Sequence, residues 1–588
     1  METLNKLLSM KTKSLLLLLL LTLSNSIFSQ TYITNVSIAD VEKQRWVPNQ
    51  TVVIKDDRIV NIQKSSKIKI PESAIVINGT DKYVLPGLTD AHIHFFQSGG
   101  LYTRPDVIDL QKDMPYQKEI DYSHETMEEV LQRYLQNGIT NVIDVGTTIN
   151  FLKQRELFKN NDDVPSIYIT GPLLTTYEPS VYENLKDDEP FNLVKTVEDG
   201  INIVQEQLQY QPDFIKIWYI VGADGLEKEA SARKNLPIVK AIIDEAHKNN
   251  LKVAVHATQR ITAQLAVENG CDFLVHSVDD EILKADFVQL MKKNKTILCP
   301  TLIVHGGYVN TFGQTINPSD HELLKADPHQ LGSLLDLKHL PDSLLINNYK
   351  KMANSKEGVA RLSKADSISM ANLKILSDAG VLIATGTDAG NIGTLHASSY
   401  LAELQTMKKS GMSNWKILQA STINGAKILD KENEFGTVGI GKKANLIILD
   451  DNPIEAIENI TKIHRVINKG VVFNPDELIK DTPADLAQRQ LNAYNFRNID
   501  AFLEPYAEDV EVYNYPDKLL FKGKEAMRKN YSQIFENTPN LHCELLGRIV
   551  QGNIVIDQER VQFRDKIVEA VAIYHVENGK IKKVYFIN

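Results

Sequence analysis

Through the middle of this chain, short apolar runs alternate with amphipathic stretches, the pattern of buried parallel strands wrapped by helices. The runs Val84–His92, Asn141–Asp144, Ser166–Thr170, Phe214–Trp218, Lys252–His256, Phe273–His276, Thr296–Cys299 and Leu382–Thr385 predict eight strands. Between them, Met127–Asn137, Leu236–Asn249, Thr262–Asn269 and Ser367–Ala379 predict helices. Gly138, Gly270 and Gly380 follow three of these, where a left-handed cap favours glycine. The pattern predicts an α/β fold, a (β/α)8 TIM barrel over residues 84–435, whose chemistry lies at the carboxyl ends of the strands. The segment Leu302–Lys364 is too long for an ordinary connection and predicts a lid or specificity insertion.

Alternating runs flank this region. Tyr32–Ile38, Thr51–Ile54 and Arg58–Ile62 precede it; Asn445–Leu449, Ile463–Asn468 and Val471–Phe473 follow, the last two joined by a Lys469-Gly470 hairpin turn. Together they predict a small composite β-sandwich from residues 31–83 and 436–475. After Thr482 the character changes: helical Leu486–Arg497 and Ile499–Tyr506 lead into alternating runs at Val510–Tyr513, Val555–Val561, Ala570–Val576 and Lys582–Phe586. A separate α+β domain over 485–588 is expected.

At the amino end, Lys11 and Lys13 precede the leucine run Leu15–Leu21 and a polar Ser-Asn-Ser stretch. This is the form of a secretory signal peptide, assigned to residues 1–30 with cleavage near Gln30. The run is short for a bilayer span, so an exported periplasmic or extracellular protein without a stable membrane anchor is expected. The formal charge of −10 gives no electrostatic reason for a nucleic-acid partner. Cys271, Cys299 and Cys543 have no thiolate-site spacing and read as buried thiols.

The chemistry gathers at predicted strand ends. His92 and His94 lie on one side of an extended strand, because side chains alternate. His256, His276 and Asp388 end later runs, so imidazoles and a carboxylate converge as ligands for one or two divalent ions, with zinc the best fit. Lys216 shares that strand-end position. An ammonium cannot ligate a cation, but a carbamate formed with carbon dioxide can bridge two; the plainer alternative is a lysine paired with an acid. Arg104, Tyr102 and Tyr219 lie near strand ends and are candidates for holding a substrate carboxylate, and His305 follows strand seven as a candidate substrate contact.

These segments resemble the amidohydrolase superfamily, close to its imidazolonepropionase-like and Xaa-Pro dipeptidase-like group. The resemblance covers about residues 31–475 and rests on Pro86-Gly-Leu-Thr-Asp-Ala-His-Ile-His94, Gly138-Ile-Thr-Asn-Val-Ile-Asp-Val-Gly146, Asp213-Phe-Ile-Lys-Ile217, Pro300-Thr301-Leu302, Gly386-Thr-Asp-Ala-Gly390, Ala420-Ser-Thr-Ile-Asn-Gly-Ala426 and Gly439-Ile-Gly-Lys-Lys-Ala-Asn-Leu446. It implies that His92, His94, His256 and His276 are ligands, Lys216 the carboxylated bridge, and Asp388 both ligand and general base. It further implies hydrolysis of an amide in a dipeptide, N-acyl amino acid or cyclic amide; a lactone or ester is the alternative. Two positions depart from the pattern. Trp218-Tyr219-Ile220 stands where a Gly-rich turn is usual, which points to a remodelled pocket, and Gln259 replaces the glutamate of nucleobase deaminases, which disfavours deamination.

Residues 485–588 resemble the SnoaL-like, NTF2-like cone fold, through Ala493-Tyr494-Asn495, Tyr506-Ala-Glu-Asp-Val510, Phe521-Lys-Gly-Lys-Glu-Ala526 and the closing strands. Such domains surround a pocket and act in binding, dimerisation or isomerisation, so a homo-oligomer is an expectation of the resemblance. Asp509 with Tyr513 is the candidate acid–tyrosine pair for isomerisation, though a junction acid explains Asp509 more simply. A third possibility is a catalytically silent barrel whose carboxy-terminal pocket carries the function.

Overall fold

A run of apolar residues interrupted by one glycine separates the first two layers of the structure, a computed structural model that describes residues 30–340 and 343–587. The expected signal peptide lies, up to Ser29, outside the described residues. The first flank supplies β1 (Thr31–Asp40), β2 (Arg45–Lys55), β3 (Arg58–Lys64), β4 (Ile75–Asn78) and β5 (Tyr83–Pro86). Parallel strands follow: β6 (Leu88–Ile93), β7 (Ile139–Asp144), β8 (Ser166–Ile169), β9 (Leu173–Thr175), β10 (Phe191–Leu193), β11 (Phe214–Trp218), β12 (Lys252–His256), β13 (Phe273–Val275) and β14 (Ile297–Cys299). The second flank adds β15 (Leu446–Leu449), β16 (Ile463–Asn468) and β17 (Val471–Phe473).

The two flanks form one eight-stranded mixed sheet in the order β17-β16-β15-β5-β1-β2-β3, with β4 beside β1. Ile33, Val52, Ile54, Leu446, Ile448 and Ile467 fill its apolar cluster. The single strand expected over Val84–His92 is two: β5 pairs with β15 and β6 with β7. Gly87 makes the switch. Its N–H donates to Asn445 O (2.8 Å), and a Cβ there would lie 2.2 Å from Thr140 Oγ1, so only glycine fits.

Main-chain hydrogen bonds link the parallel strands in sequence. β6, β7 and β8 are neighbours, and Asp213 N–H donates to Ile169 O (2.9 Å) as the chain enters β11. β11 to β14 pair in order. The eighth run, Leu382–Thr385, is held by a bridge between Leu298 and Ile383 instead of an extended ladder. Ala91 N–H then donates to Thr385 O (2.8 Å), returning to β6.

The long segment after β14 folds as helices Val304–Gly313, Asp320–Lys325, Pro328–Ser333 and Leu344–Asn354. The helix expected from Ser367 begins at Lys356, where Ser355 Oγ accepts from Gly358 N–H (3.0 Å) as a cap, and runs to Asp378. The carboxy-terminal sheet has the order β19-β18-β23-β22-β21-β20, from β18 (Tyr506–Asn514), β19 (Lys518–Lys522), β20 (His542–Gln551), β21 (Ile554–Phe563), β22 (Lys566–Glu577) and β23 (Lys580–Ile587). Helices Pro483–Asn495, Ile499–Leu503 and Lys524–Asn537 accompany it. All three cysteines are buried free thiols. Among the described residues no helix is long and apolar enough to cross a membrane.

Leu446 is fully buried where the flanks meet. Leu446→Ala is expected to cost about 2–5 kcal/mol of stability, read as an earlier urea-unfolding midpoint; an unchanged midpoint would contradict the shared core.

Candidate functional site

β6 delivers His92 and His94 at its carboxyl end, and the residues around Asp388 are laced to it. Asp388 N–H donates to His92 O (2.7 Å), and His94 N–H donates to Ala389 O (2.9 Å). The side chains converge as a result. His92 Nε2 and His94 Nε2 stand 3.3 Å apart, and Asp388 Oδ1 is 3.0 Å from the first and 3.1 Å from the second. His276 Nδ1 lies 3.9 Å from Asp388 Oδ2. The His256 ring packs against that of His276, with centroids 4.3 Å apart. Lys216 pairs in register with Ala254, two residues before His256, so Lys216 and His256 point to the same side of the sheet. Lys216 is 1% exposed.

Burial dictates the protonation states. It lowers His92 to about 3 and holds His256 and His276 well below the ordinary imidazole value. It likewise lowers Lys216 to about 8. Burial alone would raise Asp388, but the imidazoles of His92, His94 and His276 bring it well below the usual carboxylate range. Burial thus favours the neutral form of His92, His256 and His276, the form in which an imidazole ligates a metal.

A metal fits this donor set. Around a tetrahedral ion with bonds of about 2.0–2.1 Å, neighbouring donors stand about 3.3–3.4 Å apart, close to the spacings of His92, His94 and Asp388. Ligand atoms of His92, His276 and Asp388 all lie within 4.8 Å of one another. Asp388 Oδ1 is also buried without a hydrogen bond of acceptable geometry, as is His92 Nδ1. An orphaned carboxylate oxygen aimed at two imidazole nitrogens is the arrangement a cation resolves.

Neighbouring groups orient these donors. His94 Nδ1 is 2.6 Å from Gly146 O, which accepts its proton and leaves the Nε2 lone pair facing Asp388. His276 Nδ1 is 2.7 Å from Thr301 Oγ1. Asp90 accepts from Thr387 N–H (3.0 Å) and Thr387 Oγ1 (2.7 Å), and Asp144 accepts from Phe95 N–H (2.9 Å) and Gly146 N–H (3.0 Å). Burial raises both acids to about 7. His276, Thr301 and Asp388 adopt left-handed backbone with φ of 74°, 46° and 59°. Such strain costs of order 1–3 kcal/mol per residue and concentrates at functional sites. Sequence reasoning missed Asp90, Asp144 and Thr387 as supports. Asp144 carried a signal, an acid ending an apolar run; Asp90 and Thr387 were visible only as neighbours of ligands.

A cavity of about 710 Å³ opens beside His276 and Thr301, walled by Leu302, Tyr308, Leu331 and Leu334 of the insertion. His305 lines it but is half exposed and pairs with Asp366 (3.2 Å). The other candidate substrate contacts are engaged within the protein. Arg104 grips Asp106 through Nε (2.8 Å) and Nη2 (2.6 Å), and its Nη1 donates to Asn391 Oδ1 (2.7 Å) and Tyr308 Oη (3.0 Å). Tyr219 donates to Ala232 O (2.5 Å), and Tyr102 to Asp336 Oδ2 (2.8 Å). In the carboxy-terminal domain, Asp509 pairs with Lys582 and Tyr513 donates to Glu511 (2.8 Å), so they do not form an acid–tyrosine pair.

Residues 83–473 match the sequence model of the Amidohydrolase family, and residues 487–584 that of the SnoaL-like domain. Among solved structures, the chain is similar to a Xaa-Pro dipeptidase with bound methionine in its active site, at 22% identity and a TM-score of 0.58, covering 76% of this chain and 100% of the other. Molinate hydrolase is similar at 17% identity and a TM-score of 0.59, covering 77% and 96%. At such identities the likeness is one of fold. A 5'-deoxyadenosine deaminase of Methanobrevibacter smithii is 24% identical over 156 residues, 25% of this chain and 33% of that protein. An imidazolonepropionase of Thermoanaerobacter pseudethanolicus is 33% identical over 87 residues, 14% and 19%. The matches span a third or less of these curated relatives.

Purified protein is expected to carry at least one divalent ion per chain by elemental analysis, and chelation is expected to lower its melting temperature by several degrees, as loss of a tight ligand does. Gly386→Ala tests the geometry. A Cβ there would lie 2.7 Å from His92 Cβ and 2.4 Å from Cys299 Sγ, so His92 must move and ion content is expected to fall severalfold. Full retention would place the ion elsewhere.

Proposed function

Because the chain belongs to the amidohydrolase family, we propose that it is an exported, metal-dependent hydrolase that cleaves the amide C–N bond of a dipeptide, N-acyl amino acid or cyclic amide. The observation that carries this reading is the ionised Asp388 carboxylate held against the Nε2 atoms of His92 and His94, beside a cavity of substrate size. We read the hydrogen-bonded circuit from β6 to Leu382–Thr385 as a (β/α)8 barrel, with the site at the carboxyl ends of its strands.

His92, His94, His256, His276 and Asp388 would hold one or two ions, and imidazole with carboxylate donors suits zinc. Divalent metal, when bound there, supplies Lewis acidity toward water and the scissile carbonyl. Asp388 takes the proton of the attacking water and returns it to the departing nitrogen, so the amine leaves neutral. His276 is kept in place by Thr301 through its Nδ1. Lys216, lowered to about 8 by burial, is suited to carbamate formation: its neutral nitrogen bonds the carbon of carbon dioxide and releases a proton to solvent. The resulting anion would add an oxygen donor on the side of the sheet that His256 faces.

Deamination is disfavoured. Gln259 donates its side-chain N–H to Thr258 Oγ1 (2.7 Å) and offers no titrating proton where deaminases use glutamate. The leucine run and preceding lysines of the amino end support export.

A screen of dipeptides, N-acyl amino acids and cyclic amides, run with the unaltered chain and Asp388→Asn, tests the assignment. Turnover is expected to drop about 10²–10⁴-fold in the variant while bound metal, measured in parallel, persists. Equal rates would refute Asp388 as the base.

A further inference from the structure

The short helix Pro328–Ser333 separates two cavities. On one side, Leu331 and Leu334 line the 710 Å³ cavity that reaches His276. On the other, Gly332 and Asp336 line a second cavity of about 510 Å³, closed by Leu491 and Asn492 of the carboxy-terminal domain and by His542 of β20. The wall between them is fastened from the carboxy-terminal side. Asn492 Nδ2 donates to Pro328 O (2.7 Å), Arg489 Nη1 donates to Ala326 O (3.1 Å), and His329 Nε2 meets Asp485 Oδ1 (3.0 Å). The helices touch closely at Gly332, where a Cβ would lie 2.5 Å from Gln488 Nε2 and 2.9 Å from Asn492 Oδ1.

Packing gives the same assignment. Phe312, Leu323, Leu331, Leu334 and Ile346 of the insertion share one buried apolar cluster with Leu486, Ala487 and Phe502 of the carboxy-terminal domain. Ile392 and Leu395, from the loop after Asp388, belong to that cluster too. The cluster around the parallel strands takes no buried side chain from residues 304–354 among the described residues. The insertion is thus joined in sequence to the hydrolase and in packing to the SnoaL-like domain.

We propose that the SnoaL-like domain sets the substrate specificity of the hydrolase: its Pro483–Asn495 helix fixes the Pro328–Ser333 helix, and so the apolar wall that receives a bulky aliphatic or aromatic side chain of the substrate. Leu302, Ile316, Leu331, Leu334 and Leu395 supply that apolar surface. Gly332 and Asn492 act here as positioning residues that do not touch the substrate. The inference rests on the hydrolase reading above and adds to it the class of substrate, an amide carrying a large apolar side chain.

The test uses the full chain with Gly332→Leu, which forces the helices apart, and Asn492→Ala, which only removes the bond to Pro328. N-acetyl-leucine and N-acetyl-phenylalanine are compared with N-acetyl-glycine, and hydrogen–deuterium exchange is followed over residues 319–340. In both variants exchange is expected to quicken, and KM for the leucine and phenylalanine substrates to rise about ten-fold relative to glycine. Changes in kcat should stay within about two-fold, since the loss is one of binding, with metal content unaltered. Ile549→Ser, on an exposed stretch of β20, should change none of these. Unchanged exchange in both variants overturns the brace, and faster exchange with an unchanged side-chain preference overturns its role in specificity. An unaltered chain that hydrolyses none of the three would count against the hydrolase reading, while exchange still judges the brace alone.

Discussion

Asp388 is a buried carboxylate set against the Nε2 atoms of His92 and His94, while burial disfavours the charged form of His92 and His276. That combination organises the rest of the site. An isolated anion in a protein interior is costly unless a cation or several hydrogen bonds offset it. Asp388 Oδ1 has no well-formed hydrogen bond, and Lys216, which interacts with it, is itself lowered by burial to about 8. Such an arrangement is one that a bound cation would complete. Supporting contacts hold the donors in place: Gly146 fixes the tautomer of His94, Thr301 holds His276, and Asp90 ties Thr387 to β6. Three left-handed residues at one place are tolerable only because such bonds over-determine them.

Most of this was legible because buried parallel strands read as apolar runs and their ends are where the chemistry lies. His92, His94, His276 and Asp388 were found at run ends, and the structure gathers them. Failures came where the deciding partner is remote in sequence. Gly87 breaks a continuous apolar run because Asn445 and Thr140 meet it, and neither is visible from residues 84–92. Arg104 reads as a free cation near a strand end, yet Asp106, Asn391 and Tyr308 consume its donors. Asp144 and Asp90 are strand-end or mid-strand acids of the same type as a ligand; only their partners reveal that they position ligands.

The carboxy-terminal domain illustrates the same limit. Asp509 and Tyr513 were a pair by spacing, but alternation places them on one face of a solvated strand, where Lys582 and Glu511 satisfy them. The buried acid–tyrosine contact lies elsewhere, between Glu559 and Tyr574 Oη (3.1 Å), with Gln490 Nε2 donating to Tyr574 Oη (2.9 Å). Burial raises Glu559 to about 7. Phe502, Tyr531, Phe535 and Tyr494 crowd the same interior, the Phe502 and Tyr531 centroids only 4.5 Å apart. An aromatic-filled cone with a satisfied polar contact behaves as a core, and its outer helix becomes its contribution to the rest of the molecule.

That helix matters because the insertion it packs against reaches the loop that carries Asp388. Tyr308, on the first insertion helix, donates to Asn391 Oδ1 (2.6 Å), and Asn391 Nδ2 donates to Asp388 O (3.2 Å). The insertion therefore both walls the cavity and steadies the left-handed turn that aims Asp388. A segment of this length between two parallel strands loses much conformational entropy on ordering. Among the described residues the buried side chains of 304–354 that join an apolar cluster join the one shared with the carboxy-terminal domain, so much of the compensating burial comes from there. The cavity wall and the orientation of Asp388 thus share one support, and a change that loosens the wall also frees the turn carrying Asp388 unless Arg104 holds Asn391 by itself. Arg104 is anchored to Asp106 at two points, which makes it the firmer of the two tethers. Disturbing the wall should accordingly reach the cavity before it reaches the orientation of Asp388.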